Sequence, residues 1–135
     1  MKDSERRLLG ELRRTLLPLH KALLEWERNL YERKHGRVAK GELLRLLLTD
    51  SQFAWLRPVS ELIVRIDQTL DTEEPDSVVD VDAIVAQAWW VVAPHGTGAY
   101  EERYHAALQE VPDVVLAHGA VTAVLKGISS RQTLH

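Results

Sequence analysis

Glu102 and His105, in "EERYH", have residue types and a spacing that could hold a metal ion. Di-iron helical bundles use this i, i+3 spacing to direct a carboxylate and an imidazole toward one metal centre, and they need a second such pair and two further carboxylates. The first predicted helix offers His20 and Glu27 at a wider spacing. Glu101 lies one turn before His105, so a surface hydrogen bond explains the motif equally well. We predict no metal and no other cofactor.

Ser60 and Asp67 are the residues with which nucleophilic catalysis would begin, because they share one face of a predicted helix. A serine nucleophile needs a general base within hydrogen-bond reach, and no histidine lies at helical spacing from Ser60. The sequence also lacks a phosphate-binding glycine loop, a Gly-x-Ser-x-Gly elbow and a His-Glu-x-x-His motif. We therefore predict no catalytic residues and a protein that is not an enzyme.

Aromatic residues and one histidine form the candidate ligand-binding set. Trp89 and Trp90 are adjacent on a predicted helix, so their side chains point about 100° apart and cannot both enter the same core. One of them packs inside, and the other faces solvent, a partner or a ligand. His118 flanks the inward face of the last predicted helix and could line a cavity. That predicted inward face consists of Val114, Ala117, Val121, Val124 and Ile128. The candidates for contact with a small apolar or aromatic ligand are Trp89, Trp90, Tyr100, Tyr104 and His118.

The first helix carries the clearest hydrophobic pattern in the chain and is predicted from Asp3 or Ser4 to Gly36. Leucines recur every seven residues, with apolar residues interleaved three positions later, which is typical of a helix-bundle seam. Pro18 is expected to kink this helix. The predicted seam consists of Leu9, Leu12, Leu16, Leu19, Leu23, Trp26 and Leu30.

A second apolar stripe runs beside that seam and is the candidate dimer interface: Leu17, His20, Leu24 and Tyr31. If it stays exposed, a two-fold dimer is the commonest way to bury it. Alternatively, the short leucine-rich helix at 43–48 folds back over it. Both interpretations remain open at this point.

Further helices are predicted along the rest of the chain. Asp50 can cap a stretch in which Pro58 implies a kink or a restart, and Arg57, Glu61 and Arg65 form a mutually paired outer stripe. The predicted inward seam of this stretch consists of Leu56, Val59, Ile63, Ile66 and Leu70. Residues 71–80 are interpreted as a linker, and Asp80 or Asp82 as the cap of the next helix. Residues 93–98 end that helix and Thr97 could cap the following one, but how the two helices connect is not specified. The fold class is all-α, a single-domain antiparallel four-helix bundle with kinked or broken helices.

Charge and composition limit the partners that we expect. Residues 1–45 contain 12 Lys and Arg against 7 Asp and Glu, a charge of +5, whereas residues 46–135 contain 5 against 13, a charge of −8. Oppositely charged residues four apart on the first helix would cancel much of the basic field, and these pairs are Arg7 with Glu11, Lys21 with Glu25, and Arg28 with Glu32. We expect no nucleic-acid partner and no membrane partner. The chain has no cysteine and no apparent signal peptide, and we expect a cytoplasmic location.

Three segments, "LLPLHKALLEWERNLYERKHG", "ELLRLLLTDSQFAWLRPVSELIVRID" and "PDVVLAHGAV", resemble a group of uncharacterised bacterial helical proteins. The resemblance covers most of the chain. It implies an all-helical fold and supplies no activity, cofactor or site residue.

Two classes of function remain. The first is a non-catalytic interaction module, a self-associating bundle, which the wide apolar coverage of the first helix favours. The second is a binder of a small apolar or aromatic ligand between the helices, which the aromatic residues favour.

Overall fold

The computed structural model describes residues 2–72 and 80–133, with side chains up to Ile128, and in these ranges the fold is all-helical. This confirms the all-α part of the predicted fold class. Most of the predicted linker, residues 73–79, lies outside the described residues. The α-helices are α1 (Asp3–His35), α2 (Lys40–Thr49), α3 (Arg57–Asp71), α4 (Val81–Val92), α5 (Ala99–Glu110) and α6 (Pro112–Thr133), and a 3₁₀ helix (Ser51–Leu56) joins α2 to α3.

Helix α1 runs through Pro18 without interruption. It begins after Lys2, whose N–H donates to Glu5 at 3.0 Å, so neither Asp3 nor Ser4 is the cap that we predicted. It ends before Gly36, which has a φ of 83° and donates its N–H to the Glu32 carbonyl at 2.8 Å. A positive φ is the conformation for which glycine was predicted at this helix end.

The buried face of α1 differs from the predicted seam at its C-terminal end. The first five leucines of the seam are fully buried, but Leu30 and Trp26 are only partly buried and Glu27 takes their place in the core. An α-helix drifts by about 20° per heptad from a strict seven-residue repeat, so after three heptads Leu30 has turned roughly 60° away from Leu9. Glu27 lies 18 residues after Leu9, which is about five full turns, and therefore points in the same direction.

The segment from α2 to α3 changes helix type at Pro58. Asp50 accepts the N–H of Gln52 at 2.8 Å, as predicted for a cap, and the 3₁₀ helix that follows buries Phe53 and Trp55. Helix α3 then restarts at Arg57, which puts Pro58 in its first turn, where a proline costs no helical hydrogen bond.

The charged stripe on α3 is exposed as predicted, but the predicted pairing of its charges with one another is wrong. Arg57 donates to the Leu48 carbonyl at 3.3 Å, and Arg65 donates to the Gln87 side chain at 2.7 Å. These interactions hold α3 to α2 and to α4, and Glu61 forms an ion pair with neither arginine.

The C-terminal half contains α4, α5 and α6. Asp80 accepts the N–H of Ala83 at 3.0 Å and so caps α4, as predicted. In the connection over residues 93–98, Gly96 has a φ of 100°, and Gly98 rather than Thr97 occupies the N-cap of α5. Helix α6 buries the predicted inward face except at Val124, which is half-buried because the neighbouring Leu125 takes the core position.

Helix α1 is the centre of the arrangement. It packs against α3 and α6, and α4 packs against the same two helices. Helix α5 contacts α6, the 3₁₀ helix and the C-terminal half of α1, while α2 packs on the 3₁₀ helix.

Within the described ranges, no single helix is both long enough and apolar enough to cross a membrane. One consecutive pair, Ala99–Glu110 with Pro112–Ile128, meets the length and composition criteria together but is bent by 112°.

Candidate functional site

The most polar place in the core is the side chain of Glu27, which is only 2% exposed. Its Oε1 accepts the indole N–H of Trp55 at 2.7 Å, and its two carboxylate oxygens lie 3.0 and 3.1 Å from Nη2 of Arg103. Gln52 adds a longer hydrogen bond at 3.4 Å. A buried carboxylate is costly unless such donors surround it. Glu27 therefore joins three elements, α1, the 3₁₀ helix and α5, at one point.

Two tryptophan rings hold the guanidinium of Arg103. Its central carbon lies 4.4 Å from the centre of the Trp26 ring and 5.6 Å from that of the Trp55 ring. The two indoles meet edge to face, and the Trp26 N–H donates to Glu110 at 3.2 Å. Cation–π contacts and a charge-assisted hydrogen bond thus fix one end of the guanidinium. We call Glu27, Arg103, Trp26 and Trp55 the ion-pair cluster.

The sequence contained one usable sign of this cluster. Glu27 is an acidic residue on the buried line of α1, five turns after Leu9. A strict seven-residue repeat from Leu9 leads to Leu30, so it does not place Glu27 on the buried face. Arg103 had no such sign, because its pairing with Glu27 depends on how α5 returns to α1.

Four of the five predicted ligand-binding residues form one continuous row. Trp90 stacks on Tyr100 with ring centres 5.0 Å apart, Tyr100 stacks on Tyr104 at 5.6 Å, and Tyr104 contacts His118 at 5.8 Å. We call these four residues the aromatic row. Trp89 is not in the row and packs half-buried against the core, so the exposed member of the tryptophan pair is Trp90.

The polar atoms of the aromatic row are satisfied within the chain. Tyr100 donates its O–H to the Val91 carbonyl at 2.6 Å, and the Tyr104 hydroxyl lies 2.7 Å from Nδ1 of His118. Burial raises the pKa of Tyr104 and lowers the pKa of His118, which favours a neutral O–H donating to a neutral imidazole. Burial also raises the pKa of Tyr100, assisted by the Tyr104 and Glu101 charges.

These contacts limit the surface that the aromatic row could offer to a ligand. The two tyrosine rings are buried, His118 is partly exposed, and the two tyrosine hydroxyls and His118 Nδ1 already have partners. The row is organised as part of the core. Binding of an aromatic ligand here stays a prediction that has to rely on the half-exposed Trp90.

The structure brings a histidine to Ser60 that helical spacing did not reveal. His20 of α1 lies across the α1–α3 contact, with its Nε2 at 2.8 Å from the Ser60 hydroxyl, and burial lowers the pKa of His20. The hydroxyl can donate to the Leu56 carbonyl at 3.3 Å while accepting from His20. Within residues 2–72 and 80–128, no acidic side chain orients the other ring nitrogen of His20. Catalytic serines are activated by a base that a third group orients, and this pair joins two helices instead.

Own-chain contacts cover most of the predicted interface stripe on α1. His20 meets Ser60, Leu24 packs half-buried on the core, and Tyr31 lies against Phe53 of the 3₁₀ helix with ring centres 5.6 Å apart. Leu17 alone of the four is exposed. Helix α3 covers His20 and the 3₁₀ helix covers Tyr31, whereas the predicted 43–48 helix packs on the 3₁₀ helix.

An exposed apolar surface lies beside this covered stripe. Leu44 and Leu48 of α2 and Val64 of α3 are 52 to 64% exposed, and Leu48 and Val64 line one groove of about 390 Å³. Leu17 shares one side of α1 with Arg13 and His20, and these two residues contact Asp67 and Ser60 on the Val64 face of α3. Helical spacing therefore directs Leu17 toward the same side of the molecule as Val64. We call Leu17, Leu44, Leu48 and Val64 the apolar patch.

Comparison with protein-family models, curated proteins and solved structures finds no match to this chain. The resemblance to uncharacterised bacterial helical proteins stays a prediction.

The candidate metal motif of Glu102 and His105 lacks further ligands among the described residues. Glu102 and His105 are exposed on α5, and the described residues contain no group of three His, Asp or Glu side chains that could hold an ion. The first helix contains a second Glu-x-x-His sequence, formed by Glu32 and His35. In α1, Glu32 accepts the N–H of Val38 at 2.8 Å and His35 packs on Tyr31.

We predict that the purified protein contains no stoichiometric iron, manganese or zinc and that a chelator leaves its melting temperature unchanged, because two exposed side chains are too few ligands. Elemental analysis measures the metal content. Near-equimolar metal that disappears in a Glu102→Ala variant would contradict this prediction.

Proposed function

We propose that this protein is a non-catalytic interaction module that pairs with a second copy of itself through the apolar patch. The observation that supports the proposal is the exposure of Leu44, Leu48 and Val64, which are 52 to 64% accessible on α2 and α3, and two of which, Leu48 and Val64, line one groove. Contiguous exposed apolar surface on a folded protein commonly marks a contact. A two-fold pairing would bury the same patch on both copies, and this symmetry is the commonest in homo-oligomers.

The proposed interface differs from the one that the sequence predicted. Leu17 belongs to both the predicted stripe and the patch, whereas His20, Leu24 and Tyr31 would contribute through the support they give to α3 and the 3₁₀ helix. Charged residues surround the groove, among them Arg57, Glu61 and Arg65. An apolar centre with a polar border is the usual composition of a specific protein interface.

A second proposal concerns the arrangement of the helices within one chain. We infer that α1, α3, α4 and α6 form an antiparallel four-helix bundle, which the packing of α1 and α4 against both α3 and α6 supports. In such a bundle α2 lies outside the four-helix core. Its outward side is then available to a second subunit.

We propose a cytoplasmic location and no nucleic-acid partner. Two observations support this. The chain has no cysteine, which is compatible with a reducing compartment. In addition, Arg28 of the basic N-terminal third forms ion pairs with Glu25 and Glu32 at 3.4 and 3.7 Å, although the predicted pairs Arg7–Glu11 and Lys21–Glu25 do not form.

The test is a Leu48→Glu variant compared with a Leu116→Glu variant, in which an exposed leucine outside the patch is changed in the same way. A carboxylate at Leu48 would be desolvated in the pair, so we expect the mass of Leu48→Glu in light scattering to fall to that of one chain, with an unchanged helical circular dichroism signal. Leu116→Glu is expected to keep the mass of the unmodified protein.

Two results would contradict the proposal. One is a Leu48→Glu protein with the same mass as the unmodified protein, which would place the contact elsewhere. The other is a loss of helical signal in Leu48→Glu alone, which would show that Leu48 belongs to the core of a single chain.

A further inference from the structure

We propose that the cavity beside the ion-pair cluster binds a small organic phosphate, with the phosphate on Arg103, Arg33 and Lys34 and the organic part on the apolar wall. The cavity has a volume of about 810 Å³ and lies between the C-terminal part of α1, the 3₁₀ helix and the start of α5. Its size is within the usual range of small-molecule sites. This inference is independent of self-association, because none of the apolar-patch residues lines the cavity.

The charge of the cavity is opposite to that of the chain. Arg33, Lys34 and Arg103 line it together with a single acid, Glu27, which leaves two positive charges in excess. The whole chain has a net charge of −3. A phosphate monoester carries about 1.5 to 2 negative charges near pH 7, so one such group would balance the excess.

Arg103 keeps donors available for a ligand. It uses Nη2 alone for both Glu27 oxygens, and its Nη1 and Nε have no hydrogen-bond partner among the described residues. Its side chain is 35% exposed at the cavity. The ion pair with Glu27 occupies only the Nη2 donors. The remaining guanidinium N–H groups lie in one fixed plane, an arrangement that matches the oxygens of a phosphate.

The guanidinium is also held in place before any ligand arrives. Glu27, Trp26 and Trp55 fix its position from one side, so binding would cost little side-chain ordering at Arg103. Arg33 and Lys34 are exposed at the end of α1 and supply a guanidinium and an ammonium, both of which bind phosphate in proteins. Leu30, Ala54 and Ala99 provide the apolar wall.

The experiment is an isothermal titration of the full chain with phenyl phosphate, with phenol, inorganic phosphate and succinate as comparison ligands. We expect phenyl phosphate to bind more tightly than all three, because only it places a dianion and an apolar ring in the cavity together. The matched variants are Arg33→Gln/Lys34→Gln and Arg7→Gln/Arg14→Gln. Each removes two exposed positive charges from α1, but only the first pair lies at the cavity.

Loss of two charge-assisted contacts should weaken phenyl phosphate binding about tenfold in Arg33→Gln/Lys34→Gln, and less than about twofold in Arg7→Gln/Arg14→Gln. The variant Arg103→Lys keeps the charge and loses the planar donors, and it should also bind more weakly. No measurable binding of phenyl phosphate, an equal loss in both double variants, or tighter binding of succinate would overturn the proposal. If Arg103→Lys does not fold, the two double variants still decide the question.

Discussion

Replacing Arg103 with methionine is expected to lower the free energy of unfolding by about 3 to 5 kcal/mol, because it leaves the buried Glu27 carboxylate without its countercharge. Methionine keeps an unbranched apolar side chain but is shorter than arginine, so the loss combines the missing countercharge with the missing cation–π contacts to Trp26 and Trp55. Urea denaturation followed by circular dichroism measures the change.

The matched control is Arg33→Met, which removes an exposed arginine from the same cavity and should change the free energy of unfolding by less than about 0.5 kcal/mol. The double variant Glu27→Met/Arg103→Met should be more stable than Arg103→Met alone, because it removes the buried charge together with its partner. If the loss of stability in the double variant equals the sum of the losses in Arg103→Met and Glu27→Met, the two residues are not coupled.

Replacing Phe53 with alanine is expected to cost about 3 to 5 kcal/mol in the free energy of unfolding. Phe53 is fully buried in the 3₁₀ helix and packs against Tyr31, so its loss opens a cavity between that helix and α1. The same urea denaturation measures this change. The prediction tests whether the 3₁₀ helix, and no second subunit, covers this part of the α1 stripe.

The control for Phe53→Ala is Val115→Ala, a truncation of a half-exposed residue on α6 that lies outside the apolar patch. We expect it to change the free energy of unfolding by less than about 0.5 kcal/mol. A Phe53→Ala variant as stable as Val115→Ala would mean that Tyr31 is open to solvent and available to a partner.

Helical periodicity predicted the fold class and much of the core. The leucines of α1 from Leu9 to Leu23 and the α3 seam from Val59 to Ile66 are buried as expected, because each residue's direction on a helix follows from its position along the chain. Local capping was predicted where a side chain bonds its own backbone, at Asp50 and Asp80. It was wrong at Thr97, where Gly98 takes the N-cap.

Contacts between distant elements could not be predicted in this way. Ser60 meets His20, 40 residues away, and Glu27 meets Arg103, 76 residues away, and both pairs depend on how helices dock. The prediction of a paired stripe on α3 was wrong for the same reason. Helical spacing allows Arg65 to pair with Glu61 on its own helix, but the docking of α4 brings Gln87 within hydrogen-bond distance instead.

Self-association through the apolar patch is tested most directly by sedimentation equilibrium of the unmodified protein over a wide dilution series. One chain has a mass of 15.3 kDa. If the patch pairs two copies, the measured mass should be twice that value at high concentration and fall toward 15.3 kDa on dilution, since association follows mass action. A mass of 15.3 kDa at every concentration would contradict the proposed pairing.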